Sequence, residues 1–271
     1  MLDALVNGSR VRDQRHGVDL EERGLAYGDG VFETMSLRDG AIRFVADHLA
    51  RLRLGCERLG IATPSAAILE GDLQTICVGR RTGIVKLIVT RGAGGRGYRA
   101  TDTPATRIVL LYEGMDTSVG AAISIRWCDT RLSRNPQLAG IKHLNRLEHV
   151  LAQSEWRDPA IAEGLMADTE GEVVCATASN LFLVIDGVLA TPDLRYAGVR
   201  GVMRKQVLAT AQQLGIEIGE RVIRPEDIAS ASELFLTNAV RGVRPVISLE
   251  SRRWEIGPIT RQLLRALESV R

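Results

Sequence analysis

Residues 87–104 read Leu87-Ile88-Val89-Thr90-Arg91-Gly92-Ala93-Gly94-Gly95-Arg96-Gly97-Tyr98-Arg99-Ala100-Thr101-Asp102-Thr103-Pro104. The first four form a short apolar, β-branched run of the kind that builds a buried strand. Gly92 to Gly97 fit G-x-G-x-x-G, the spacing with which dinucleotide folds cradle a pyrophosphate. That site needs a helix to begin inside the glycine loop, because the helix N-terminus holds the phosphates. Residues 98–104 carry no apolar stripe and include Pro104, and no acidic residue is clearly placed about 20 positions on, where the ribose partner belongs. The dinucleotide fold is therefore excluded. Two readings of the loop stay open: a plain surface connection, or a mobile loop whose Arg91, Arg96, Tyr98 and Arg99 close over a carboxylate-bearing ligand.

Around this stretch, strand-like and helix-like segments alternate, which predicts an α/β (α+β) architecture. Ile108-Val109-Leu110-Leu111 and Leu181-Phe182-Leu183-Val184-Ile185 repeat the buried-strand pattern. From Asp47, read as an N-cap, Leu49, Leu52, Cys56 and Leu59 recur at helical spacing until Gly60 stops the run. Leu144, Leu147, Val150 and Leu151 form a second stripe, and Ile259, Leu263, Leu264 and Leu267 a third within residues 258–271. The polar, glycine-punctuated stretch around residues 113–120 reads as a linker. This divides the chain into an N-terminal α/β domain over residues 1–114, a linker over 115–120 and a C-terminal domain over 121–271.

Composition narrows the function. The 271 residues are 45% hydrophobic and 25% charged, as in an ordinary globular protein with a sizeable core. A balance of 35 basic against 33 acidic residues, net +2, gives no electrostatic case for nucleic acid or an anionic membrane as partner. No basic-then-apolar leader is visible and no apolar run reaches about 18 residues, so no membrane span and a cytoplasmic location are expected. Cys56, Cys77, Cys128 and Cys175 lack C-x-x-C spacing, so neither a metal site nor a disulfide framework is expected.

Chemistry concentrates around Gly140-Ile141-Lys142-His143-Leu144-Asn145. Alone, a lysine before an amphipathic helix is a solvated surface residue. The segment, however, resembles the cofactor-lysine region of the aminodeoxychorismate lyases, within the fold-type IV enzymes that use pyridoxal 5′-phosphate (PLP). The resemblance covers essentially the whole chain. It also runs through Tyr27-Gly28-Asp29-Gly30-Val31-Phe32-Glu33-Thr34, His48-Leu49-Ala50-Arg51-Leu52, the glycine-arginine loop, Ala178-Ser179-Asn180-Leu181-Phe182, Ala197-Gly198-Val199-Arg200-Gly201-Val202-Met203-Arg204 and Thr237-Asn238-Ala239. The glycine-arginine loop and the lysine run look lyase-like in particular; the other markers are shared with branched-chain and D-amino-acid aminotransferases.

The resemblance implies a two-domain PLP enzyme with the cofactor between the domains, a small-molecule substrate and a homodimer. It implies that Lys142 carries the cofactor; a partly desolvated amine suits the roles of nucleophile and proton shuttle. Arg51 would bind the PLP phosphate, although it lies off the Leu49–Leu52–Cys56–Leu59 stripe and periodicity alone makes it an exposed helix arginine. Gly201 and Val202 would offer backbone N–H groups at the start of a helix over residues 202–214. Thr237 and Asn238, after a strand at Leu234-Phe235-Leu236, would add hydroxyl and amide donors. Arg96 and Tyr98 are the candidates for substrate carboxylates, Thr34 for the wall of the site, and Asn180 for a structural role.

One position departs from the pattern. Where fold-type IV enzymes usually carry a glutamate against the pyridine nitrogen, this chain has Cys175, and Glu172 cannot take over without a bulge. A neutral thiol leaves the ring a weaker electron sink, which hurts amino transfer more than elimination to an aromatic product. The implied reaction is a lyase forming 4-aminobenzoate. The alternatives are a branched-chain or D-amino-acid aminotransferase and a non-catalytic PLP-binding paralogue.

Overall fold

A computed structural model describes residues 1–11, 17–100, 102–114 and 120–268. The chain separates into two compact units, Met1–Thr117 with Ile141–Asn145, and Ser118–Gly140 with Arg146–Arg271. Residues 141–145, expected in the C-terminal domain, pack with the first unit instead. Most of the expected linker, residues 115–119, lies outside the described residues.

The first unit contains β1 (Asp3–Val6), β2 (Ser9–Arg10), α1 (Arg23–Tyr27), β3 (Gly30–Arg38), β4 (Ala41–Ile42), α2 (Val45–Leu59), α3 (Ala66–Cys77), β5 (Gly83–Thr90) and β6 (Thr106–Tyr112). Its strands form one sheet in the order β2-β1-β6-β5-β3-β4, and every neighbouring pair is antiparallel. Alternation sets the two faces. Val31, Met35, Leu37, Val85, Leu87 and Val89 are buried in a core completed by Leu52 and Cys56 of α2 and Leu73 of α3. Phe32, Thr34, Lys86 and Ile88 occupy the half-buried opposite face. The start of α2 differs from expectation. Its N-cap is Phe44, in the left-handed region without a side-chain cap, and Asp47 falls in the first turn, where its charge suits the helix N-terminus. The helix does stop at Gly60, whose φ of 64° is the left-handed cap that glycine adopts at little cost. Among the described residues no helix starts after the glycine-arginine loop; the next element is β6.

The second unit contains β7 (Ile123–Trp127), α4 (Leu147–Gln153), β8 (Ile161–Ala167), β9 (Val173–Ala176), β10 (Asn180–Ile185), β11 (Val188–Pro192), α5 (Val202–Gln213), β12 (Ile218–Arg221), α6 (Pro225–Ser230), β13 (Glu233–Asn238), β14 (Gly242–Leu249), β15 (Arg252–Arg253) and α7 (Pro258–Glu268). The main strand order is β12-β11-β10-β13-β14-β7-β8-β9, with β15 on β14. The apolar run expected at residues 181–185 is an interior strand of this sheet, flanked by β11 and β13, where Phe182 and Phe235 stack with centroids 5.0 Å apart. Thr237 and Asn238 lie within β13 rather than beyond it. The stripe expected from Leu144 onward is different. Leu144 belongs to the first unit, and Leu147, Val150 and Leu151 on α4 face outward, each more than half exposed. Among the described residues no helix is long and apolar enough to cross a membrane.

Candidate active site

Lys142 is fixed to the first unit by its backbone. The segment 141–145 lies along the start of β3, with Val31 opposite His143 in an antiparallel bridge. Phe32 N–H donates to Lys142 O at 2.9 Å and Leu144 N–H to Gly30 O at 2.9 Å. Ile141, fully buried, and Asn145, whose Nδ2 donates to Gly28 O at 3.1 Å, anchor the two ends. In such pairing Lys142 and Phe32 rise from the same face, and Lys142 Nζ sits 4.3 Å from the Phe32 ring centroid.

A second ammonium shares that ring. Lys86, opposite Thr34 in the β3–β5 register, holds its Nζ 5.2 Å from the Phe32 centroid. The two nitrogens therefore lie no further apart than the sum of those distances. The chain has only three lysines, Lys86, Lys142 and Lys205. Aromatic faces attract cations, and among the described residues no carboxylate forms an ion pair with Lys86. Thr34 is on the same half-buried face, so the structure brings it and Lys142 to one surface. Sequence reasoning missed Lys86. Its signal was a charge standing among the apolar residues of a strand.

Across the sheet, Arg51 is turned inward against β3. Its Nε donates to Glu33 Oε1 at 2.8 Å and its Nη2 to Glu33 Oε2, while His48 Nδ1 lies 2.6 Å from Oε2. Glu33 and His48 are completely buried. Burial pushes the Glu33 carboxyl up, but the Arg51 charge and the hydrogen bonds from His48 and Arg51 outweigh it and hold the group below its ordinary range.

The glycine-arginine loop is pinned by its neighbours. Arg23 donates to Gly97 O at 2.8 Å and Tyr98 O at 3.2 Å, and Gly97 N–H donates to the Tyr27 hydroxyl at 3.0 Å. Asp29 accepts from Arg23 and Arg91 at 3.0 and 2.7 Å. Arg91 thus supports the loop instead of meeting a ligand. Arg96 and Tyr98, the expected carboxylate residues, lie at the surface; Tyr98 is 89% exposed.

In the second unit, Gly201 is the N-cap of α5 without a side-chain cap. A Cβ there would meet Asn180 Oδ1 at 2.0 Å, so the backbone passes where only glycine fits. Asn180 donates to Val199 O at 2.8 Å and sits opposite Thr237 in the β10–β13 register. Asn180 thereby ties the entry of α5 to the strand end carrying Thr237. Thr237 is buried, with its hydroxyl donating to Gly242 O at 3.0 Å. Asn238 departs from expectation. Its Oδ1 closes a turn by accepting from Val240 and Arg241 N–H, and its Nδ2 donates to Ser179 Oγ at 3.0 Å, so its amide is spent on shaping the loop. Ser179 in turn donates at 2.6 Å to the buried Glu163, another residue that sequence reasoning missed. Cys175, opposite Met166 in β9, is buried, and burial pushes its thiol up to about 12. The β8–β9 register slips beside it, yet Glu172 is held by Arg134 at 3.1 Å.

Residues 30–249 match the family described as amino-transferase class IV. The chain belongs to this family. The class IV chain is 41% identical to the crystal structure of 4-amino-4-deoxychorismate lyase from Pseudomonas aeruginosa, with a TM-score of 0.91 and 98% of each chain covered. It is 31% identical over 255 residues to an aminodeoxychorismate lyase of Vibrio harveyi, covering 91% of this chain and 94% of that one. It is 30% identical over 278 residues to a putative branched-chain-amino-acid aminotransferase of Methanocaldococcus jannaschii, covering 98% and 95%. The class IV enzyme has the fold-type IV architecture and is PLP-dependent.

The residues present fit that cofactor. PLP needs an amine for its aldehyde and a cradle for its phosphate. Lys142 offers the first on a backbone-fixed strand. Within the second unit, the start of α5 has no side-chain cap and its backbone passes closely at Gly201, leaving first-turn N–H groups of the kind a phosphate needs.

Proposed function

We propose that this enzyme is a carbon–oxygen lyase converting 4-amino-4-deoxychorismate to 4-aminobenzoate and pyruvate, a reaction that serves folate biosynthesis. The identity to the two lyases supports the reaction class. What favours elimination over amino transfer is Cys175, a buried thiol where the resemblance places a glutamate. It supplies no charge to stabilise a protonated pyridine nitrogen. Elimination gains from aromatisation of the product and depends least on that stabilisation.

When bound, PLP supplies an electron sink conjugated to the substrate nitrogen. Lys142 would carry it, with Arg51 and the N–H groups of Gly201 and Val202 at its phosphate; the Thr237 hydroxyl, buried and donating to Gly242 O, is already spent. Lys142 Nζ takes the proton from C4 of the substrate. The C3–O bond breaks with its electron pair leaving on oxygen, the six-membered ring becomes aromatic, and Nζ returns the proton to the departing enolpyruvate. Lys86, on the same aromatic ring as Lys142, anchors a substrate carboxylate. Arg96 and Tyr98 meet the other, and Thr34 lines the wall.

We also infer a cytoplasmic homodimer. All four cysteines are free thiols, and the outward apolar residues of α4 suit a second copy of the chain. The decisive experiment is release of 4-aminobenzoate from 4-amino-4-deoxychorismate by the PLP-loaded protein and by Lys142→Ala. Product from the parent and none from the variant is expected. Keto-acid-dependent amino transfer without 4-aminobenzoate would make it an aminotransferase, and bound PLP without turnover a non-catalytic paralogue.

A further inference from the structure

Glu33, His48 and Arg51 form a charged cluster inside the apolar core of the first unit. Glu33 and His48 are wholly buried, so neither can touch a ligand itself. His48 and Arg51 stand three residues apart on α2 and so share one helix face. His48 Nε2 is buried without a hydrogen-bond partner among the described residues, so a neutral ring places its one N–H on Nδ1, facing Glu33. Glu33 Oε2 then accepts from His48 Nδ1 and Arg51 Nη2, and Oε1 from Arg51 Nε. Both carboxylate oxygens are committed, and the plane of the carboxylate fixes the plane of the guanidinium.

Stability alone is a weak reason for such a cluster, because packed apolar residues commonly serve a core as well as a buried ion pair does. Charge alone is no better a reason, because Glu33 cancels the attraction Arg51 would offer an anion. What the cluster adds is direction. Arg51 is a long, rotatable side chain, and here its Nε–Nη2 edge is turned to Glu33, which fixes the plane and direction of the guanidinium. Ordering the arginine in advance removes a cost otherwise met on binding.

We propose that Glu33, backed by His48, is a positioning residue that presets Arg51 for the phosphate of PLP. This rests on the reading of Arg51 as a phosphate ligand. In Glu33→Gln, the side-chain NH2 group confronts the donors of Arg51 and His48, and the guanidinium turns away.

The test is the apparent affinity of the cofactor-free, full-length protein for PLP and for pyridoxal, which lacks the phosphate, tracked through the visible absorbance each gains on binding. The variants are Glu33→Gln, Glu33→Asp and Arg51→Gln. Glu33→Gln should bind PLP about tenfold more weakly, the scale of loss when a partner behind a ligating group is removed, with pyridoxal affinity unchanged. Glu33→Asp keeps the charge and carries the test if the glutamine variant does not fold; its loss should be smaller and again confined to PLP. Parent-like PLP affinity in both Glu33 variants, with Arg51→Gln weakened, would overturn the positioning role and leave the phosphate reading standing. Equal losses for PLP and pyridoxal would reduce Glu33 to a structural residue. Parent-like PLP affinity in Arg51→Gln would remove the phosphate reading and this inference together.

Discussion

Replacing Gly201 by alanine puts a methyl group 2.0 Å from Asn180 Oδ1, against an ordinary contact of 3.4 Å. The amide oxygen must retreat by about 1.4 Å, the difference between those distances. Asn180 cannot move as a whole, because β10 is paired to β13 at this rung, so its side chain must rotate and give up the hydrogen bond to Val199 O. That bond contributes about 1 kcal/mol, and the overpacking about 1–3 kcal/mol more. The φ of −65° at Gly201 suits alanine, so the stiffer unfolded chain offsets about 0.4–1 kcal/mol. The net expectation for Gly201→Ala is a loss of about 1–3 kcal/mol. Asn180→Ala alone should cost about 1 kcal/mol through the lost bond. With the amide gone there is no clash, so the double variant should be no less stable than Asn180→Ala, a coupling of about 2 kcal/mol. Urea unfolding read from tryptophan fluorescence, with a constant slope across the set, measures all four corners. Additive losses would refute the reasoning, because they would mean the methyl group finds room elsewhere.

The same geometry sets three further outcomes. Asp29 is held below the ordinary carboxylate range, burial opposing and Arg91 and Arg23 prevailing. Its folded form therefore resists protonation, and the stability it contributes is complete above the unfolded value near 3.8 and is lost as pH falls below it. Asp29→Asn should be less stable than the parent at pH 7, with urea midpoints converging as pH falls below 3.8; a difference independent of pH would contradict this. Arg23→Ala removes two donors from the backbone at Gly97 and Tyr98, so trypsin should cut after the exposed Arg96 and Arg99 several-fold faster in timed digests, and an unchanged rate would show that Arg23 does not hold the loop. Cys175, buried with its thiol near 12, should stay unmodified by iodoacetamide at pH 8 in native protein and react after unfolding in urea. Rapid native labelling at Cys175 by mass spectrometry would show that the thiol is open to solvent.

Features that rest on local pattern were legible in the sequence. The apolar runs at 87–90, 108–111 and 181–185 are strands because sheet interiors select β-branched residues, and Gly60 ends α2 because the left-handed cap favours glycine. Features that rest on distant partners were not. Arg51 lies off the apolar stripe of α2, and only its partner in β3 turns it inward. The clue was on the other strand, where alternation puts Glu33 on the same face as Val31, Met35 and Leu37. Periodicity showed an apolar stripe on α4 but could not say what covers it; the chain itself leaves Leu147, Val150 and Leu151 outside. Asn238 has the donors for an anion, and only the loops beside it reveal that they are already used.

Residues 141–145 return to the first unit, so the hold on Lys142 depends on one strand margin. The lysine is borne on a five-residue edge segment that the chain inserts into the N-terminal sheet long after that sheet's own strands have been synthesised. Nascent chains released near residue 120 lack this edge, and fraying of the Gly30–Phe32 margin in the finished protein detaches Lys142 together with the buried Ile141.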